Sequence, residues 1–90
     1  MNTLASYVVE FIGSVIFMYV IITTGSAIPI GVTLAGLIFF AGGISGGAFN
    51  PAVTLMLFLK KKINATSFVI YLILQFLAAY LAYIFSGMKL

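Results

Sequence analysis

The residues with the clearest chemical potential form one short polar segment in an apolar chain. Asn50-Pro51-Ala52 follows a glycine-rich stretch at residues 42–47 and precedes an apolar run that stops at three lysines, 60–62. Asn is a favoured helix N-cap and Pro a favoured first helical residue, so a helix is predicted to begin at Asn50. From there to Leu59 the helix would be about 15 Å long, half of the roughly 30 Å hydrocarbon core of a membrane.

A half-helix over about 50–59 would direct its N-terminus to the membrane interior. Its dipole places about half a positive charge there, and Asn50 adds an amide donor. Such a centre can hydrogen-bond a water oxygen and oppose cations. Glu10 is the one acidic residue, and it lies within another apolar stretch. An intramembrane carboxylate indicates either a proton or substrate site, or an acceptor that holds loop N–H groups.

The composition indicates an integral membrane protein and excludes most chemistry. Of 90 residues, 64% are hydrophobic and 6% charged, whereas soluble domains carry about 25% charged residues. Without His or Cys, no usual metal cluster or His-activated nucleophile can be built. We therefore expect no enzyme activity, metal or cofactor, and a net charge of +3 does not suggest nucleic-acid binding. The charged residues are Glu10, Lys60, Lys61, Lys62 and Lys89.

Three stretches are long and apolar enough to cross a bilayer, at about 4–23, 28–44 and 66–85. Because glycines and Asn-Pro interrupt a continuous helix, 50–59 is predicted as a separate half-helix. The predicted fold is therefore an all-α membrane protein, with three transmembrane helices and one re-entrant half-helix, built as a single unit over 1–90. Lys60–Lys62 share the side of the N-terminus and Lys89 lies opposite, which favours a cytoplasmic N-terminus.

The segment from Ser45 to Thr54, SGGAFNPAVT, resembles the first signature loop of the aquaporin, or major intrinsic protein, family. Glu10-Phe11-Ile12-Gly13 is similar to the Glu-Phe-x-Gly of the family's first helix, and Gln75 stands where the family carries Gln. The resemblance covers roughly residues 5–87. Family members normally hold two inverted halves, each with three spans and one half-helix, and this chain resembles the first half. It departs at Ala48, where His is usual, and it contains no Arg.

The resemblance implies a passive channel in the cell membrane for water and small neutral solutes such as glycerol. It assigns Asn50, Pro51 and Ala52 to the pore motif and makes Glu10 and Gln75 supports of the loop. By alignment without gaps it gives four selectivity-filter candidates, all aliphatic or Gly. The pore-loop residues are Gly46, Gly47, Ala48 and Phe49, and the filter candidates are Ile30, Ile38, Gly47 and Val53.

One half cannot enclose a pore, so a partner is expected. The partner would be a second copy in inverted orientation, or a separate complementary half, within a higher homo-oligomer in the lipid bilayer. The lysine bias of three against one conflicts with equal dual topology. The alternative is a dual-topology, proton-coupled small multidrug transporter that uses Glu10. A small membrane-lesion protein is a third interpretation, although a lesion has no need of the Asn-Pro-Ala loop.

Overall fold

The computed structural model describes residues 3–88, so the position of Lys89 lies outside the described residues. The chain forms four helices: α1 (Thr3–Thr24), α2 (Ala27–Ser45), α3 (Pro51–Leu59) and α4 (Ala65–Ser86). Three of them, α1, α2 and α4, are long and apolar enough to cross a membrane. The α3 helix has nine residues, which makes it about 13 Å long. The predicted fold class, all-α with three long spans and one short helix, is confirmed.

The second helix runs through a glycine pair, as the predicted span over 28–44 also does. Gly42 and Gly43 are both helical, and α2 ends at Ser45, where Gly46 adopts a left-handed φ of 91°. Glycine lowers intrinsic helix propensity by about 1 kcal/mol per residue, but tertiary contacts override that preference. Here the hydroxyls of two other helices donate to the last carbonyls of α2, which no intrahelical N–H could reach.

The helices place polar groups inside and apolar groups outside. The α1 helix packs against both α4 and α2, and α3 packs against α4. Six polar residues among residues 3–88 are buried, and Glu10 is fully buried among them. In lipid this arrangement is favourable, because polar groups must find partners within the protein. The buried polar residues are Ser6, Glu10, Ser14, Ser45, Thr54 and Gln75.

The exterior is suited to a bilayer. Phe39 and Phe40 are 82% and 81% exposed, and Ser45 is the buried residue of α2. The folded chain measures 40 × 23 × 20 Å, and its long axis matches the roughly 40–45 Å thickness of a bilayer with its headgroups. An apolar surface of this extent would aggregate in water. The chain is therefore an integral membrane protein.

Candidate functional site

Asn50 caps the short helix α3. Its Oδ1 accepts a hydrogen bond from the N–H of Val53 at 3.0 Å, and Pro51 occupies the first helical position. The Thr54 N–H donates to the carbonyl of Asn50. Because Pro51 has no N–H, Ala52 holds the remaining N–H group of the first turn, and Ala52 is exposed. The amide group of Asn50 and the N–H of Ala52 therefore lie together at the positive end of a helix dipole.

The loop before α3 is held in a conformation that few residues adopt. Gly46 and Gly47 have φ values of 91° and 67°, and Phe49 has a φ of 58°. Glycine accepts a positive φ at no steric cost, whereas a bulky residue there is strained by about 1–3 kcal/mol. Phe49 is nevertheless completely buried. The surrounding structure must therefore hold this residue in place.

The carboxylate of Glu10 holds the loop. Its Oε2 accepts hydrogen bonds from the Ser45 hydroxyl at 2.6 Å and the Ala48 N–H at 3.2 Å. Its Oε1 accepts from the Phe49 N–H at 2.9 Å and the Gln75 amide at 3.1 Å. Four donors face this carboxylate, so each of its two oxygens has two hydrogen-bond partners within the protein. This geometry brings together the two residues that the family resemblance assigns to loop support.

A second chain of hydrogen bonds connects α4 to the start of α3. The Gln75 amide also donates to the Thr54 hydroxyl at 2.6 Å, and that hydroxyl donates to the carbonyl of Asn50 at 2.9 Å. The carboxylate of Glu10 is thus two side chains away from Asn50. Among residues 3–88 there is no cluster of His, Cys, Asp or Glu that could hold a metal ion. The arrangement is suited to holding a polar helix end at membrane depth rather than to bond chemistry.

Two further hydroxyls that the sequence analysis did not assign also fix the loop. The Tyr71 hydroxyl donates to the Ser45 carbonyl at 2.7 Å, and the Ser6 hydroxyl donates to the Ile44 carbonyl at 2.8 Å. Ser6 lies one helical turn before Glu10, and Tyr71 lies one turn before Gln75. Because residues four apart share a helix face, this spacing is a signal that could have identified both residues.

The filter candidates occupy different places along the molecule. Ile38 on α2 lies beside the loop, since a Cβ at Gly47 would be 3.4 Å from its Cγ1. Val53 lies half-buried in the first turn of α3. Ile30 is eight residues before Ile38 on the same helix, about 12 Å away along its axis. Within one chain, the structure therefore brings Ile38 and Gly47 together and keeps Ile30 apart.

Comparison with known proteins identifies the family. Residues 21–88 match the family described as Major intrinsic protein. This chain belongs to the major intrinsic protein family. It is 35% identical to a probable aquaporin PIP2-7 of Oryza sativa subsp. japonica, over 80% of this chain and 32% of the rice protein. It is 34% identical to aquaporin PIP1-3 of Arabidopsis thaliana, over 80% of this chain and 31% of that protein.

The aligned part of this major intrinsic protein spans about a third of the length of the curated relatives that it matches. No solved structure matches the chain. The family match begins at residue 21 and includes both the loop and α3. Glu10 lies before that matched range, so its assignment as the loop acceptor depends on the hydrogen bonds themselves.

Gly13 gives this family member a close contact that a single methyl group should disrupt. A Cβ at Gly13 would overlap the Phe49 ring, coming within 2.8 Å of its Cδ1. We expect Gly13→Ala to destabilise the fold by about 1–3 kcal/mol, because the loop behind the ring has little freedom to move. Unfolding in detergent, followed by tyrosine fluorescence, measures this change.

Gly36→Ala is the matched control, because a Cβ there meets nothing within 4 Å. The control adds the same methyl group to a transmembrane helix, so it should be neutral or slightly stabilising. Equal stability of both variants would contradict the inferred contact between Gly13 and Phe49.

Proposed function

We propose that this chain builds half of the wall of a passive channel for water and small neutral solutes in the cell membrane. The observation that carries the proposal is the start of α3. The cap uses Oδ1 of Asn50, and Nδ2 donates to no acceptor within residues 3–88. That amide and the N–H of Ala52 are available to an oxygen atom of a passing molecule.

The electrostatics of this site favour neutral molecules. A helix N-terminus carries about half a positive charge, and it acts more strongly at membrane depth than in water. A water or alcohol oxygen can accept from the two donors, whereas a cation meets a repulsive potential. The buried carboxylate of Glu10 already accepts four hydrogen bonds. It therefore supports the site without offering a passing cation a free ligand.

We propose that a second copy in inverted orientation completes the pore. The support is the surface of α2, which packs against α1, meets the loop and Tyr71 near its C-terminal end, and packs against neither α3 nor α4 along the rest of its length. Half-helices that meet at the midplane of an inverted repeat are a recurrent transport design. We also propose that such pairs gather into a higher homo-oligomer. A complementary half in place of the second copy is an outcome that cysteine labelling distinguishes.

The proposed constriction is apolar. Ile38 lies beside Gly47, and Val53 lies in the first turn of α3, so one chain offers aliphatic side chains and a glycine at this level. Ile30 would contribute where the partner's loop reaches it. A constriction without a charged or aromatic side chain is wider and selects less by hydrogen bonding. This is the reason for proposing that glycerol passes in addition to water.

Liposomes that contain only this chain test the channel. We expect osmotic shrinkage faster than that of empty liposomes, with a low activation energy, because a continuous file of water needs no desolvation step. Glycerol uptake should also exceed the empty control. Folded protein that shrinks liposomes no faster than lipid alone would contradict the channel, and water flux without glycerol flux would contradict the proposed filter.

The same liposomes test the assembly. A cysteine introduced by Lys61→Cys lies in an exposed turn and should react with a membrane-impermeant reagent from both sides if the pairs are inverted. The matched control is Thr33→Cys, in the middle of α2, which lipid or protein should shield. Labelling from one side, together with no flux, would indicate a complementary half as the partner.

A further inference from the structure

A small polar cavity lies at the end of the molecule where both α1 and α4 begin. Its volume is about 160 Å³. It opens beside the turn between α3 and α4, and it shares two lining residues with the support of the loop site, since the Ser6 and Tyr71 hydroxyls donate to the last carbonyls of α2. The polar residues that line it are Thr3, Ser6, Lys62, Asn64, Ser67 and Tyr71.

The cavity is rich in hydrogen-bond donors. The Asn64 Oδ1 already accepts from the Ser67 N–H at 2.8 Å, which leaves the Asn64 amide hydrogens as donors. Lys62 adds an ammonium group that can only donate. The Thr3 hydroxyl can serve either way, whereas the Ser67 hydroxyl already shares a hydrogen bond with the Tyr7 hydroxyl at 3.0 Å. No carboxylate lines the cavity, so its chemistry favours an anion with several acceptor oxygens.

The lysines beside the cavity have no acidic side chain available to pair with. The chain contains one acidic residue, Glu10, whose carboxylate accepts hydrogen bonds from the loop and Gln75. Lys60, Lys61 and Lys62 are exposed. Their counter-charges must therefore come from outside the chain.

Lys61 occupies a position where glycine is the usual residue. The Lys62 N–H donates to the Leu57 carbonyl and the Lys61 N–H to the Phe58 carbonyl, which is the hydrogen-bond pattern of a Schellman motif. In that motif the residue with left-handed φ is most often glycine, but here it is Lys61, with a φ of 60°. A lysine at this position costs conformational energy that a glycine would avoid. Its charge supplies a reason for its presence.

We propose that the cavity and the three lysines form a phosphate site, occupied by the phosphate of an anionic phospholipid headgroup. The site lies at the end of the membrane spans, at headgroup level, where basic clusters attract anionic lipid. The ammonium group of Lys62, the amide of Asn64 and the hydroxyl of Thr3 are donors of the kind that a phosphate accepts. The proposal does not depend on the channel function, because the groups that would bind the phosphate, on Thr3, Lys62 and Asn64, take no part in holding the loop.

Equilibrium binding to purified protein in a neutral detergent tests the site. The probes are short-chain phosphatidic acid, short-chain phosphatidylcholine and inorganic phosphate. We expect phosphatidic acid to bind more tightly than phosphatidylcholine, and Lys62→Gln to weaken phosphatidic acid by at least about fivefold, the effect of one lysine at a membrane surface. Lys60→Gln removes the same charge outside the cavity lining and should cost less.

The outcomes separate the sources of the phosphate. If inorganic phosphate binds as tightly as phosphatidic acid, the cavity is a phosphate site but the lipid is not its specific occupant. Equal affinity for phosphatidic acid and phosphatidylcholine would overturn the anion site. If Lys60→Gln and Lys62→Gln weaken phosphatidic acid binding equally, the binding depends on the overall positive charge, and the proposed role of the cavity is wrong.

Lys61→Gly provides a second test that does not depend on the behaviour of Lys62→Gln. Glycine relieves the left-handed conformation, so the variant should melt at a higher temperature than the parent protein without lipid. It should also bind phosphatidic acid more weakly, though by less than Lys62→Gln, because one lysine is lost outside the cavity lining. A variant that is more stable and binds phosphatidic acid unchanged would overturn the proposed reason for Lys61.

Discussion

Replacing Glu10 with leucine is expected to destabilise the folded protein by about 3–5 kcal/mol, because four neutral donors lose one buried acceptor group. The substitution leaves the Ser45 hydroxyl, the N–H groups of Ala48 and Phe49, and the Gln75 amide facing an apolar side chain. Each buried donor without an acceptor costs about 1–3 kcal/mol. Titration from mild detergent into a denaturing detergent, followed by tyrosine fluorescence, measures the loss.

Glu10→Gln should have a smaller effect, about 1–3 kcal/mol. The amide keeps one acceptor oxygen for part of the loop, but its NH2 group faces donors in place of the second oxygen. Water flux should follow stability, with the leucine variant at the level of empty liposomes and the glutamine variant between that level and the parent protein. Proton-coupled drug uptake that disappears in Glu10→Gln would instead identify Glu10 as a transport site.

Ser14→Ala is the matched control for these variants. Ser14 lies one helical turn after Glu10, is equally buried, and its hydroxyl has no hydrogen-bond partner among residues 3–88. Removing that hydroxyl leaves no other group unsatisfied, so the change should be neutral or stabilising. A loss in Ser14→Ala as large as that in Glu10→Leu would show that any change on this helix face is disruptive, and would contradict the role of the carboxylate.

Replacing Asn50 with leucine is expected to reduce water flux to the level of empty liposomes. Leucine removes the amide donor at the start of α3 and places a branched apolar side chain beside the Ala52 N–H. It also removes the helix cap, which costs about 1 kcal/mol. The chain provides a control for that cost, because Asn64 caps α4 in the same way, with its Oδ1 accepting from the Ser67 N–H.

Asn64→Leu should lose a similar amount of stability and keep its water flux.

Asn50→Asp separates the two roles of Asn50. Aspartate keeps the capping oxygen and is favoured at a helix N-terminus, so the fold should be retained. Aspartate also replaces the amide donor with a negative charge, so leakage of cations or protons through the channel should rise. Ion-sensitive dyes in the liposomes would measure this leakage. Full water flux through folded Asn50→Leu would contradict the pore assignment. Equal losses of water flux in Asn50→Leu and Asn64→Leu would also contradict it.

Much of the architecture is determined by the sequence alone. The membrane environment follows from composition, and the three spans follow from the length of apolar runs, because both depend on summed properties of many residues. The start of α3 follows from Asn50 and Pro51, since capping involves atoms within a few residues of each other. The observed cap from Asn50 to Val53 is of this local kind.

The tertiary structure decided which side chains meet. The partners of Glu10 lie 35 to 65 residues away in sequence, and their meeting depends on how α1 and α4 are rotated against each other. The contact between Gly13 and Phe49 depends on the same rotation. Tertiary contacts also explain the helical Gly43, because Ser6 and Tyr71 satisfy the carbonyls at the end of α2.

The physical reason is the uniform hydrophobicity of the spans. In a soluble helix the apolar stripe marks the buried face, whereas a helix that is apolar all round gives no such mark. The α2 helix is apolar on every side, so the sequence could align both Ile30 and Ile38 with filter positions but could not show which of them lies beside the loop. Helix rotation and depth place Ile38 beside Gly47 and leave Ile30 about 12 Å away along the helix axis. That choice depends on packing between helices, which the local sequence does not encode.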